Sequence, residues 1–261
     1  MGLTETGLRR LLRDASRPLA DTVFPPLCAL CGGEDPGDGL GCGEHRLPLR
    51  PSGPRCDRCA SALPPAIASG ERCAGCRLDP PSFESTIALG DYRAQPAIRD
   101  WILALKHGRR SDLARTLGRA LGARFAADRD PRNGAHLGPP ILVPVPLHWM
   151  RRLERGYDQA RLVAEAAATV EDLEVVLALS RSRSTAVQGS IGGPSRSANV
   201  ARAFGPRRVL SRISRASCTV AGRDAWIVDD VVTSGATASE CARALKRLGA
   251  ARVGLLALAR A

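Results

Sequence analysis

The stretch Ala225-Trp226-Ile227-Val228-Asp229-Asp230-Val231-Val232-Thr233-Ser234-Gly235-Ala236-Thr237 decides how the rest of the chain is read. Four apolar residues run into two acids, as a buried strand does when it delivers carboxylates at its carboxyl end. Small hydroxyl residues and Gly235 follow, then an amphipathic pattern over 236–248. A turn of that kind exposes consecutive backbone N–H groups at a helix N-terminus, where the helix dipole stabilises a phosphate. Thr233, Ser234 and Thr237 add hydroxyl donors, and Gly235 lets the backbone approach a ligand closely. Adjacent carboxylates suit a ligand that also carries hydroxyls, as ribose does at its 2′ and 3′ positions. The same residues also fit a strand that ends in an Asp-rich turn, with Thr233 or Ser234 as an N-cap.

Outward from this loop, residues 85–91, 141–146, 173–179, 225–232 and 253–258 read as strands. Residues 97–105, 113–127, 156–170 and 236–248 read as helices, and 3–24 as a short amphipathic helix broken near Pro18. Strands alternating with helices predict an α/β domain with a mainly parallel sheet covered on both faces. Residues 128–140 form a loop. Residues 181–199, rich in Ser, Gly and Arg, read as a loop, within which 181–188 fit either a surface linker or a loop that closes over a ligand.

The amino-terminal third is built differently. Seven of the nine cysteines lie between Cys28 and Cys76, in a Pro- and Gly-rich stretch that cannot supply its own apolar core. The ligand-type residues fall as Cys28-x2-Cys31, Cys42-x2-His45, Cys56-x2-Cys59 and Cys73-x2-Cys76. A two-residue spacing lets a tight knuckle aim both side chains at one tetrahedral ion. Eight ligands make two closed structural zinc sites, paired sequentially or crossed; alternatively His45 is a surface histidine beside a vestigial Cys42 and one zinc is held, by the second quartet. The chain thus divides into an N-terminal segment at 1–27, a double zinc ribbon at 28–81 and an α/β domain at 82–261. Clustered CxxC pairs fit a reducing compartment, and no stretch has the length of a membrane span or the h-region of a signal peptide, so a cytoplasmic protein is expected.

The net charge of +12 is unevenly spread. Residues 1–80 carry 10 basic and 10 acidic side chains, whereas 181–215 carry eight arginines and no acid. A basic surplus favours polyanionic ligands, whether nucleic acid or phosphorylated small molecules. Nine aromatic side chains are few for a platform that stacks bases. Residues 141–146 lead into a basic turn with Arg151, Arg152 and Arg155, which fit either anion contacts or an ordinary solvated turn. No residue stands out as a general base.

The order of four apolar residues, two acids, two apolar residues and Thr-Ser-Gly-x-Thr matches the phosphoribosyl pyrophosphate (PRPP) signature of type I phosphoribosyltransferases. The CxxC series, Leu105-Lys106-His107-Gly108-Arg109-Arg110, Arg155-Gly156-Tyr157-Asp158-Gln159, residues 185–188, Asn199-Val200 and Ala203-Phe204 extend the likeness along nearly the whole chain. In these features the chain resembles the ComF family of competence and GntX-type proteins. The resemblance implies a type I phosphoribosyltransferase-like domain behind zinc ribbons. It implies that Asp229 and Asp230 hold ribose hydroxyls, that Thr233, Ser234, Gly235, Ala236 and Thr237 hold the 5-phosphate, and that Mg²⁺ bridges the pyrophosphate. Arg151, Arg152 and Arg155 would then face the pyrophosphate, and Arg181 and Arg183 would lie on the closing loop. It also implies a link to uptake of single-stranded DNA, with that DNA or a DNA-translocating helicase as a partner. The family usually has Asn where this chain has Asp158 and Cys where it has His45.

Overall fold

The computed structural model describes residues 25–68, 70–129, 138–147, 154–181, 204–206 and 219–261. The chain clusters into two compact units, one ending at Leu47 and one spanning Pro48–Ala261. The second cysteine quartet therefore belongs to the same unit as the sheet, whereas composition drew its boundary at 81/82.

In the larger unit, β1 (Thr86–Asp91), β2 (Ile141–Pro144), β3 (Glu174–Val175), β6 (Asp224–Val232) and β7 (Arg252–Arg260) form one five-stranded sheet in the order β1-β7-β6-β2-β3. Every pairing in it is parallel. β4 (Leu179–Arg181) and β5 (Phe204–Pro206) form a separate antiparallel pair. The helices are α1 (Ala74–Leu78), α2 (Pro96–His107), α3 (Leu113–Asp128), α4 (Gln159–Ala168) and α5 (Ala236–Arg247). This is the α/β class that the alternation of strands and helices predicts. β7 is buried along its seven central residues, as a parallel strand covered on both faces must be.

Helix α5 covers one face: Ala225 and Ile227 of β6 and Leu255 and Ala257 of β7 pack with Ala238, Cys241 and Leu245. On the opposite face Phe125 of α3 meets the ring of Trp226 edge-on, with centroids 4.9 Å apart. A Cβ on Gly254 would stand 2.4 Å from that ring, so only glycine leaves room for it. Helices α3 and α4 approach closely at Gly118 and Gly122, where a Cβ would fall within 2.5 Å of Ala166 and within 2.4 Å of the Ala167 carbonyl oxygen.

The strand expected over 173–179 is divided. β3 stops at Val175, although Val176 still donates to Leu142 O at 2.9 Å, and β4 begins only at Leu179. Pro144 supplies the reason. Val145 N–H turns toward β6 and reaches Val228 O at 2.9 Å, while Leu142 faces β3. Pro144, two residues beyond Leu142, faces β3 as well and has no N–H to give, so that ladder ends there.

Among the described residues no helix is long and apolar enough to cross a membrane. The N-terminal helix expected over 3–24 lies outside the described residues.

Candidate functional site

Strands β2 and β6 are neighbours whose chains depart in opposite directions. β2 leads through α4 to β3 at one edge, and β6 leads through α5 to β7 toward the other. Their carboxyl ends thus form a topological switch point, the place where open parallel sheets leave a crevice for ligands. Asp229 and Asp230 lie at that end of β6, one step beyond the pairing of Pro144 with Val228. The loop then turns through exposed Thr233 and Ser234 to Gly235, which caps α5 in the left-handed conformation at φ 75°. Ser234 Oγ accepts from Ala236 N at 3.4 Å. A side chain at 235 would be strained by that φ and would meet Phe83 at 3.3 Å. The loop thus has the form expected of it: a glycine turn opening a twelve-residue helix.

Asp230 is held from two helices. Lys106 Nζ, near the end of α2, lies 2.8 Å from Asp230 Oδ1. Gln159 Nε2, the first residue of α4, donates to Asp230 Oδ2 at 2.9 Å. The Tyr157 hydroxyl donates to Leu105 O and ties the two segments together. Asp229 Oδ1 accepts the amide of Asp230 at 2.8 Å. Burial, and after it the Asp230 carboxylate, push the Asp229 carboxyl up to about 7.

Lys106 also borders a cleft of about 440 Å³ with His107, Arg109, Glu154 and Arg155. Among the described residues Arg155 Nη1 is buried without a hydrogen-bond partner, and Arg109 holds a left-handed φ of 52°. Four of the five lining side chains are basic-type groups, which suits an anion.

Both cysteine quartets come together, each made of consecutive pairs. Cys28, Cys31, Cys42 and His45 form one group and Cys56, Cys59, Cys73 and Cys76 the other, with all ligand atoms of a group within 4.8 Å of one another. Cys31 and Cys42 sulfurs are 3.6 Å apart, Cys59 and Cys73 sulfurs 3.7 Å, and Cys42 Sγ lies 3.4 Å from His45 Nδ1. Tetrahedral zinc with Zn–S bonds of about 2.3 Å needs sulfurs about 3.8 Å apart, so both groups fit the ion as closed structural sites. Backbone amides also point at the sulfurs: Gly33 N to Cys31 at 3.4 Å and Cys73 N to Cys56 at 3.3 Å. In the first unit, buried Asp35 accepts from the amides of Gly37, Gly39 and Gly41 and so shapes the loop leading to Cys42.

No protein-family model matches the chain. The DNA utilization protein YhgH of Escherichia coli K12 is 34% identical over 200 residues, which cover 75% of this chain and 81% of that protein. The chain belongs to the ComF family. Competence protein F of Haemophilus influenzae is 28% identical over 210 residues, covering 80% of this chain and 85% of its own. The YhgH protein of Salmonella typhimurium is 31% identical over 210 residues, covering 79% and 85%.

Two ways in which this ComF-family chain departs from the usual family pattern have simple structural readings. Asp158 is the N-cap of α4 and accepts from Arg161 N at 3.2 Å, a task Asn performs equally well. His45 supplies a ring nitrogen where a sulfur would otherwise stand. The switch point gathers Asp229, Asp230 and residues 233–237, and Arg155 lines the cleft that shares Lys106 with Asp230. Arg181 ends β4, and its positive charge acts on Asp229. Arg151, Arg152 and Arg183 lie outside the described residues. Sequence reasoning missed Lys106 and Gln159 as partners of Asp230. The available signal was their position in the two family segments, 105–110 and 155–159.

Proposed function

We propose that the chain binds the ribose 5-phosphate moiety of PRPP on a type I phosphoribosyltransferase-like domain, at residues 229–237. The observation that carries this reading is the coincidence of three features at one switch point: paired acids, a left-handed glycine cap and the start of a long helix. The amides and hydroxyls of residues 233–237 would hold the 5-phosphate against the positive end of the α5 dipole. Asp229 and Asp230 beside them would accept the sugar hydroxyls. Arg155, with Arg151 and Arg152, would face the pyrophosphate, and Arg181 and Arg183 would close over it. Mg²⁺, brought in with the ligand's phosphates, would neutralise their charge beside the Lys106–Asp230 pair. Transfer would break the bond from C1 of the sugar to pyrophosphate and form one from C1 to an acceptor nucleophile. The protein's part is to position the sugar and to neutralise the departing pyrophosphate.

The test is calorimetric titration of the full-length, zinc-loaded protein with PRPP and Mg²⁺, beside the Asp229→Ala/Asp230→Ala double variant. Micromolar binding that disappears in the variant is the expected result. Equal binding by both proteins removes the site from these residues.

A second reading, handling of single-stranded DNA or of a DNA-translocating partner, is favoured by the printed names of the relatives, a DNA utilization protein and a competence protein. The basic cleft beside Lys106 and the net charge of +12 suit it. Binding through several backbone phosphates weakens steeply as salt rises, so a flat salt response with a short single-stranded oligonucleotide would exclude it.

A further inference from the structure

A cavity of about 540 Å³ opens between α5 and the second cysteine quartet, and the ribose-phosphate reading leaves it unused. All its lining residues belong to the larger unit. Ser234, Gly235 and Ala236, the turn that opens α5, form part of its wall, and Cys59, Cys73 and Gly75 contribute from the quartet. Among the described residues it takes in neither Asp229 nor Asp230, and none of the residues that line the basic cleft at Lys106.

That partition decides what the cavity can hold. A ribose 5-phosphate seated as proposed above would turn its hydroxyls toward the two acids and its phosphate toward residues 233–237. A group lying in the cavity would therefore be joined to the ligand through the 5-phosphate, not through C1 of the sugar. Small-molecule sites span about 300–1,000 Å³, so this one has room for a nucleoside, far more than a phosphate needs.

The lining suits a nucleobase. Phe83 and Val232 supply apolar surface. Beside them the buried carboxylate of Glu240 pairs with half-exposed Arg243, one turn further along α5. The Arg243 guanidinium donates to Glu240 Oε1 and, at 3.0 Å, to Ser82 Oγ, which fixes the pair. An arginine carries five N–H donors, so these bonds leave others beside the carboxylate acceptor. Adenine and cytosine present the complementary edge, an amino donor next to a ring-nitrogen acceptor. Arg243 and Arg260 stand against Asp79 and Glu240 in the same wall, so the lining favours a neutral base over a second anion.

We infer that the site takes ribose 5-phosphate as one end of a longer ligand, a nucleoside diphosphate ribose, with the nucleoside seated in the cavity between α5 and the second cysteine quartet. This rests on the ribose-phosphate reading above. PRPP would fill the turn and leave the cavity empty, whereas this class of ligand fills both.

Calorimetric titration of the full-length, zinc-loaded protein with ribose 5-phosphate and with adenosine diphosphate ribose tests this, beside the variants Gly75→Leu and Arg243→Ala. Gly75→Leu narrows the cavity from the quartet side, where a Cβ meets only Cys73 Sγ, at 3.9 Å. Arg243→Ala removes the donor of the Glu240 pair. The wild-type protein is expected to bind adenosine diphosphate ribose at least about tenfold more tightly than ribose 5-phosphate. Each variant is expected to lose most of that advantage while its zinc content and its ribose 5-phosphate affinity stay unchanged. Adenosine diphosphate ribose bound no more tightly than ribose 5-phosphate, or an advantage that survives both variants, would overturn the inference and leave the ribose-phosphate reading standing. Failure of ribose 5-phosphate to bind would remove that reading instead, and the response of adenosine diphosphate ribose to the two variants would still judge the cavity.

Discussion

Ala60 and Gly32 hold the same place, one residue past the second cysteine of a knuckle, and both adopt left-handed backbone, at φ 55° and 73°. Glycine adopts that conformation freely, whereas a residue with a Cβ is strained by about 1–2 kcal/mol. Ala60→Gly is therefore expected to stabilise the larger unit by roughly 1 kcal/mol, read as a raised unfolding midpoint. Asp229 gives a pH test. Its folded carboxyl lies near 7, above the ordinary carboxylate range, because burial and Asp230 disfavour its charge. The folded state thus holds a proton that the unfolded chain has already lost, and the stability this adds is complete in acid and is lost as pH rises through about 7. Melting curves of the ligand-free protein should fall between pH 5 and pH 8, and Asp229→Asn should flatten the fall. At this scale the sequence was legible where chemistry is local, as in the acids, Gly235 and the CxxC pairs. It was silent on the pairing of Lys106 with Asp230, because that meeting joins residues more than a hundred positions apart.

Among the elements, the parallel strands and the long helices follow from apolar runs and periodicity, which register burial directly. β3 does not. Its expected length failed because a proline on the neighbouring strand, Pro144, withholds the hydrogen bond that would have prolonged it. No window around 173–179 contains that information. The α3–α4 contact is equally hidden in sequence, since Gly118 and Gly122 look like weak points of a helix until Ala166 and Ala167 are found against them. Gly122→Ala is expected to cost about 1–3 kcal/mol by overpacking, against the gain in helix propensity it would bring on an open surface. Denaturant titration with an unchanged slope and a lowered midpoint would register this.

For the whole molecule, the second cysteine quartet is joined to the switch-point loop by the carboxyl-terminal strand. The Arg260 guanidinium donates to Cys59 O at 3.0 Å, to Ser61 Oγ at 2.7 Å and to Val232 O at 3.0 Å. Ser82 N donates to Ser239 Oγ of α5 at 2.9 Å, and Phe83 lies against Gly235. A zinc ion held by Cys56, Cys59, Cys73 and Cys76 would contribute folding energy outright, so its release should loosen residues 233–237 as well. Cys73→Ser/Cys76→Ser is expected to lower the unfolding midpoint and to weaken ribose 5-phosphate binding by about tenfold or more, a coupling of the usual size between linked sites. Unchanged binding by a folded, zinc-depleted variant would show that the ribbon is a separate module. The central claim, that residues 229–237 hold a ribose phosphate, is tested most directly by amide hydrogen exchange of the full-length protein with and without PRPP and Mg²⁺. Slowed exchange at the amides of 233–239 is the expected result. Exchange unchanged there, with protection only elsewhere in the chain, would contradict it.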